Sequence, residues 1–171
     1  MTKCDLSGDI DTFIRKEQSP DPATSQSAKS GWDDAKKNGA TAAYVALYAD
    51  ASPHCTDLKN SQTVIGSATY KLVVNFVIQF KDANSATAAY TGNQKFFDFS
   101  PSDLRNSGLA TAEGTKTGLT ANSIVLDQTV GAQHFYIAVW QDKAFMVILA
   151  ILNVDSRASQ KVAQSENSRI K

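Results

Sequence analysis

The sequence predicts a single α+β domain: an antiparallel β-sheet with helices packed mainly on one of its faces. The strongest observation is the last third of the chain. It spells a strand, Ile124-Val125-Leu126, and then a hairpin with arms Phe135-Tyr136-Ile137-Ala138-Val139-Trp140 and Ala144-Phe145-Met146-Val147-Ile148-Leu149-Ala150-Ile151-Leu152 around the polar break Gln141-Asp142-Lys143. β-branched and aromatic residues at this density fit a pleated, half-buried surface. Alanine-rich helical stretches separate the β-rich runs, and 171 residues suffice for one core without metal or disulfide staples. The expected organisation is a helical and loop segment over residues 1–39, the sheet with one inserted helix over 40–153, and a closing helix over 155–171.

Taken in order, Asp9 or Ser7 caps a short helix whose apolar stripe is Ile10, Phe13 and Ile14, and which ends before Pro20 and Pro22. Residues 19–30, with two prolines and small polar side chains, read as a loop. Ser30 with Asp33 three residues on resembles a capping box, starting a helix at Trp32 that Asn38-Gly39 stops. Residues 42–49 fit both a helical and a strand period, and the Asn38-Gly39 stop favours the strand. Residues 70–80 are a long β-rich run. Asn84 or Ser85 then caps a helix with Ala86, Ala89 and Tyr90 inward, closing at Gly92. Residues 94–118 are the least regular part. In the hairpin, Tyr136, Ala138 and Trp140 share one face by alternation. The run Phe145 to Leu152 is apolar throughout, as a central strand covered on both sides would be. It is too short for a bilayer, which takes about 20 apolar residues. Asp155 or Ser156 caps the last helix, with Ala158, Val162, Ser165 and Ile170 along its buried side.

Lys plus Arg equals Asp plus Glu at 17 each, so the net charge is zero, and no basic cluster is present. Nucleic-acid binding, which needs a basic stripe against phosphates, is not expected. Charged residues make up only 20% of the chain, and neutral polar residues abound, a composition common among secreted proteins. Met1-Thr2-Lys3-Cys4 shows no signal peptide, so the expectation is either a cytosolic protein or an exported one read without its leader. Cys4 has two mutually exclusive uses in an exported protein: a lipid-bearing amino-terminal cysteine, or a disulfide to Cys55, the only other cysteine. A bridge closing that loop would contribute about 3–4 kcal/mol. Two unrelated thiols in a cytosolic protein remain the third possibility.

The order helix, strand, strand, helix, strand, hairpin, helix resembles bacterial exported lipoproteins and sensor-type extracytoplasmic domains. The likeness rests on the strand leading into an alanine-rich helix, Val77-Ile78-Gln79-Phe80-Lys81-Asp82-Ala83-Asn84-Ser85-Ala86-Thr87-Ala88-Ala89-Tyr90. It continues in the glycine-led strand Gly118-Leu119-Thr120-Ala121-Asn122-Ser123-Ile124, the aromatic hairpin and the closing helix, and covers residues 40–171. It implies a binding or sensing module outside the cytoplasm and carries no active site across. The break Gln141-Asp142-Lys143 departs from it by lacking a turn glycine.

No Gly-x-Ser-x-Gly elbow, phosphate loop or dinucleotide fingerprint is present, and no motif requires a cofactor or metal. His54, Cys55 and Asp57 are ligand-type residues, but their proline-led loop reads better as a surface loop holding a disulfide. His134 has no acid or base partner visible in the sequence. Asp98, Asp103 and Glu113 are carboxylates that loop position alone cannot pair. The expected function is therefore non-catalytic: a small apolar or amphipathic ligand held between the sheet and its helices by Tyr44, Tyr48, Phe96, Phe97, Phe99, Tyr136 and Trp140. One alternative is a protein-interaction module using the Phe96, Phe97 and Phe99 loop. Another is a small hydrolase or isomerase in which His54 or His134 meets a carboxylate. An internal cavity favours the ligand reading; a filled interior favours the interaction reading.

Overall fold

A computed structural model of the chain describes residues 1–60, 68–92 and 100–170. It is an α+β fold built on one antiparallel sheet of eight strands. The strands are β1 (Thr2–Lys3), β2 (Gly8–Asp9), β3 (Ala40–Ala49), β4 (Leu72–Phe80), β5 (Ala112–Glu113), β6 (Ser123–Val130), β7 (Gln133–Asp142) and β8 (Phe145–Leu152). The sheet order is β1-β3-β4-β8-β7-β6-β5, with β2 also on β3. The helices are α1 (Ile10–Glu17), α2 (Pro22–Lys37), α3 (Ser52–Lys59), α4 (Ala83–Thr91), α5 (Pro101–Asn106) and α6 (Ser156–Asn167).

Side-chain alternation sorts the sheet into two faces. Val45, Phe76, Ile148, Val139 and Ile124 form one cross-strand row of the first face. These residues share a buried cluster with Ile10 and Phe13 of α1, Ala28, Trp32 and Ala35 of α2, Leu58 of α3, Ala86, Ala89 and Tyr90 of α4, and Leu104 of α5. The second face is covered differently. Val125, Tyr136, Ala138, Trp140, Val147, Leu149 and Ile151 are buried there with Ala163 of α6, and Leu119, Val154 and Ile170 pack at their margin. The helices thus lie mainly on one face, as expected, and β8 is a central strand between β4 and β7.

Several elements differ from the sequence reading. Residues 19–30 are not a loop: α2 begins at Pro22, because Asp21 accepts from Thr24 N at 3.1 Å and a proline at the first helical position lacks only an N–H that would be unpaired anyway. Ser30 therefore lies inside the helix, and Asp33 pairs with Lys29 and Lys36 instead of capping. The loop read around Cys55 is α3, which opens on Ser52-Pro53 by the same use of proline. Asp82 rather than Asn84 or Ser85 caps α4, accepting from Ser85 N at 2.7 Å. Among the described residues, the stretch 40–153 holds three helices instead of one, since Ser100 caps the short α5. Gly118 does not lead a strand: it closes a 3-10 turn, Gly114–Thr117, at φ +75°, and the strand starts at Ser123. On α6 the inward positions are Ser159 and Ala163, while Val162 is 42% exposed and Ser165 faces solvent.

Both hairpin turns are two residues long. Val130 pairs with Gln133 across Gly131-Ala132, and Gly131 at φ +62° supplies the left-handed position such turns need. Asp142 pairs with Phe145 across Lys143-Ala144, so the turn without glycine forces Lys143 to φ +49°. Asn153, just after β8, is also left-handed at φ +58°. Its side chain donates to Ala68 O at 2.7 Å and Tyr70 O at 2.8 Å and accepts from His134 N, tying the start of β4 to the β7–β8 end of the sheet.

Glu17, at the carboxyl end of α1, is only 5% exposed. Burial, and then the neighbouring Asp21 carboxylate, push its carboxyl up to about 7. A carboxyl raised above its unfolded value near 4.5 favours folding below that value, and the contribution is lost as pH rises through about 7. Glu17→Gln should therefore stabilise the fold by about 1–2 kcal/mol at pH 8 and give no gain at pH 4, read from urea unfolding at both pH values. Lys143→Gly should raise stability by about 0.5 kcal/mol, since a side chain in the left-handed region costs about 1 kcal/mol and glycine returns part of it as unfolded-chain entropy.

Candidate functional site

Tyr44 pairs with Val77, Val77 with Val147, Val147 with Trp140 and Trp140 with Ser123, making one row of the second face. Tyr48, Val73, Ile151, Tyr136 and Asp127 make a parallel row, and Ala46, Asn75, Leu149, Ala138 and Val125 lie between them. Tyr44, Tyr48, Tyr136 and Trp140, expected to bind ligand, thus all sit on the same face. They do not share an environment. Trp140 and Tyr136 are buried beneath α6 and its flanking segments, at 0% and 2% exposure, and serve as core. Burial and the adjacent Asp127 carboxylate push the Tyr136 hydroxyl up to about 12, so it stays neutral. Phe96, Phe97, Phe99 and Asp98 lie outside the described residues.

Among the described residues no helix lies over the β3 part of this face, because α6 stops at β4, and the half formed by β3 and β4 is only partly covered. Asn75 Nδ2 donates to Glu166 Oε1 at 3.0 Å, which sets the flank of the helix over the middle of that strand. Val162, one turn before Glu166, shares this flank and stays 42% exposed. Beyond it the floor is Tyr44, 43% exposed, with Tyr48, Val73 and Val77 half-buried. Lys3 on β1 forms the far rim: its ammonium donates to Tyr44 Oη at 2.9 Å and lies 5.3 Å from the ring centre. The Tyr44 hydroxyl raises the Lys3 pKa, keeping that cation charged.

Both histidines meet carboxylates, which the sequence did not reveal. His134 Nε2 lies 2.8 Å from Asp127 Oδ1 and 3.1 Å from Ser156 Oγ, and Ser156 Oγ donates to the same Asp127 oxygen at 2.8 Å. Serine and aspartate thus share one ring nitrogen. A proton relay needs them on opposite nitrogens, so the trio serves to pin the start of α6 to the β6–β7 hairpin. The signal was present in Gly131: a two-residue turn there makes Asp127 and His134 diagonal neighbours on one face. His54 Nδ1 lies 2.5 Å from Asp50 Oδ1, and its ring stacks on Tyr70 with centroids 4.0 Å apart. Partial desolvation pushes the Asp50 carboxyl up, but bonds from His54 and Lys71 N outweigh it and hold it below the ordinary range. Asp103 accepts from Ser100 and Glu113 pairs with Arg105, so they do not form a carboxylate pair. Among the described residues no group of His, Cys, Asp and Glu is arranged to hold a metal ion.

Cys4 and Cys55 are bonded, with Cα atoms 5.2 Å apart, joining the segment between β1 and β2 to α3. The bridge borders an open groove of about 370 Å³ lined by Thr2, Lys3, Ser52, Thr56 and Lys59. A larger open groove of about 810 Å³ runs between the end of α2 and α4, lined mainly by Asp34, Lys37, Lys81, Asp82, Asn84 and Ser85. Both are open grooves on the surface rather than enclosed cavities. Among the described residues no helix is long and apolar enough to cross a membrane.

Replacing both Cys4 and Cys55 by serine should lower stability by about 2–4 kcal/mol, since the bridge closes a loop 51 residues long. Chemical unfolding, compared with the wild-type chain under the same non-reducing conditions, measures it. No family model matches the chain, and no curated protein or solved structure matches it either.

Proposed function

We propose that this chain is a non-catalytic binding module working outside the cytoplasm, with its recognition surface on the partly covered β3–β4 half of the sheet. The observation that carries the reading is the exposed Tyr44 with the half-buried Tyr48, Val73 and Val77 beside it, bounded by Val162 on one side and Lys3 on the other. Aromatic and aliphatic side chains left together at a solvent face lose unfavourable hydration when an apolar body covers them. The Lys3 ammonium at the rim adds a preference for an anionic or hydrogen-bond-accepting end. The ligand class is therefore small and amphipathic, with a flat or aliphatic body and a negative group. It lies on the sheet surface, over Tyr44 and its half-buried neighbours Tyr48, Val73 and Val77. The Cys4–Cys55 bridge supports an oxidising compartment, because such bonds persist mainly outside the cytosol. It also occupies the Cys4 sulfur that a lipid anchor would use.

Titration with anilinonaphthalene sulfonate, an anionic aromatic dye, tests this. Saturable binding is expected, weakened about fivefold by Tyr48→Ala and by Lys3→Gln, since each removes a contact worth about 1 kcal/mol. Unchanged dye affinity in both variants, at unchanged thermal stability, would exclude this face as the site.

A further inference from the structure

The two edges of the sheet are treated very differently. On the β3 edge, β1 and β2 pair with the strand, Cys4 N donates to Leu47 O, Ser7 Oγ bonds both Leu47 N and Leu47 O, and the Cys4–Cys55 bridge fixes this cover covalently. On the β6 edge, β5 reaches only Ile124 and Val125. Thr111 N donates to Val125 O, so the Val125 backbone faces outward, and alternation turns the N–H and C=O of Asp127 and Thr129 outward as well. Those groups form no backbone hydrogen bond among the described residues.

Among the described residues the open part of this edge lacks several of the usual protections. β6 contains no proline and no lysine, and its register with β7 runs without a bulge. Its one charge, Asp127, is turned to His134 and Ser156. Large apolar side chains are also left at this edge: Val130 is 58% exposed, and Leu109, in the segment leading to Thr111, is 45% exposed.

We infer that the outer edge of β6 pairs antiparallel with the same edge of a second copy of this chain, about a two-fold axis through Gln128. The register follows from chemistry. It sets Asp127 opposite the second copy's Thr129, both outward-facing, so that each such pair exchanges both its hydrogen bonds and every open group finds a partner. Leu126 then faces the second copy's Val130, covering its exposed side chain. No like charges oppose one another, since Asp127 meets a threonine and Gln128 meets itself. The chain's net charge of zero leaves no long-range repulsion between copies. The inference is independent of the ligand face on β3–β4, which the pairing leaves open.

A cysteine scan of the full chain tests the register, because its native cysteines are already bonded to each other. Gln128→Cys sits at the two-fold axis in a non-hydrogen-bonded pair, with Cα atoms about 4.5 Å apart, within disulfide reach. Under mild oxidation it should give a covalent dimer. Thr129→Cys faces Asp127 rather than itself, beyond the separation of about 7 Å that a disulfide spans, and should not. In parallel, sedimentation should show the mass rising from 18.4 kDa towards twice that value with concentration, and Val130→Lys should restore the monomer with unchanged thermal unfolding. A chain that stays at 18.4 kDa with no Gln128→Cys cross-link would overturn the inference. So would a dimer indifferent to Val130→Lys that cross-links equally through Thr129→Cys.

Discussion

The fold depends on the two-sided burial of β8. Every side chain from Phe145 to Leu152 is apolar, and the strand lies at the middle of the sheet with β4 and β7 on its sides. A strand of that kind cannot leave either face to water, so the sheet must be covered above and below. The first face takes its cover from α1, α2 and α4, whose buried alanines, Ala28, Ala35, Ala86 and Ala89, let the helices sit close to the strands. Among the described residues the second face has one helix, α6, and small inward side chains at Ser159 and Ala163 bring it down onto its neighbours there.

One helix cannot span a sheet this wide. With adjacent strands about 4.8 Å apart and a helix about 10 Å across, α6 covers roughly two or three strands. It lies where the apolar load is greatest, over Tyr136, Trp140, Val147, Leu149 and Ile151. Polar contacts hold it there: Ser156 to Asp127 at its start, and Glu166 to Asn75 near its end. The exposed Tyr44 and the half-buried Tyr48, Val73 and Val77 on β3 and β4 are the remainder of this arrangement. The same economy appears at the edges, where a disulfide and two short strands close one side while β5 covers only the first residues of β6.

Legibility followed the range of the interactions. The strands β4, β7 and β8 were readable because alternation and β-branched density are local, and the Cys4–Cys55 pair because two cysteines allow one intramolecular bridge. Proline misled twice, at Pro22 and Pro53. A proline marks a break in the preceding segment, yet at the first turn it also starts a helix, and only the Asp21 cap and the downstream packing distinguish the two at Pro22. The site residues divided in the same way. Alternation put Tyr44 with Tyr48 and Tyr136 with Trp140, but which of them water reaches depends on where α6 stops.

The sequence by itself determined the fold class, the central hairpin and the only cysteine pairing available, and narrowed two helix caps to Asp9 or Ser7 and Asp155 or Ser156, because each is a matter of residue type and near-neighbour spacing. Tertiary structure decided that Trp140 and Tyr136 are core while Tyr44 is exposed and Tyr48 half-buried, that His134 meets Asp127 and Ser156, and that among the described residues Asp127 and Thr129 of β6 have no backbone partner on their outer side. Each of these sets a residue against a distant part of the chain, and its energy depends on burial and hydrogen-bond geometry that exist only once the strands and α6 have packed together.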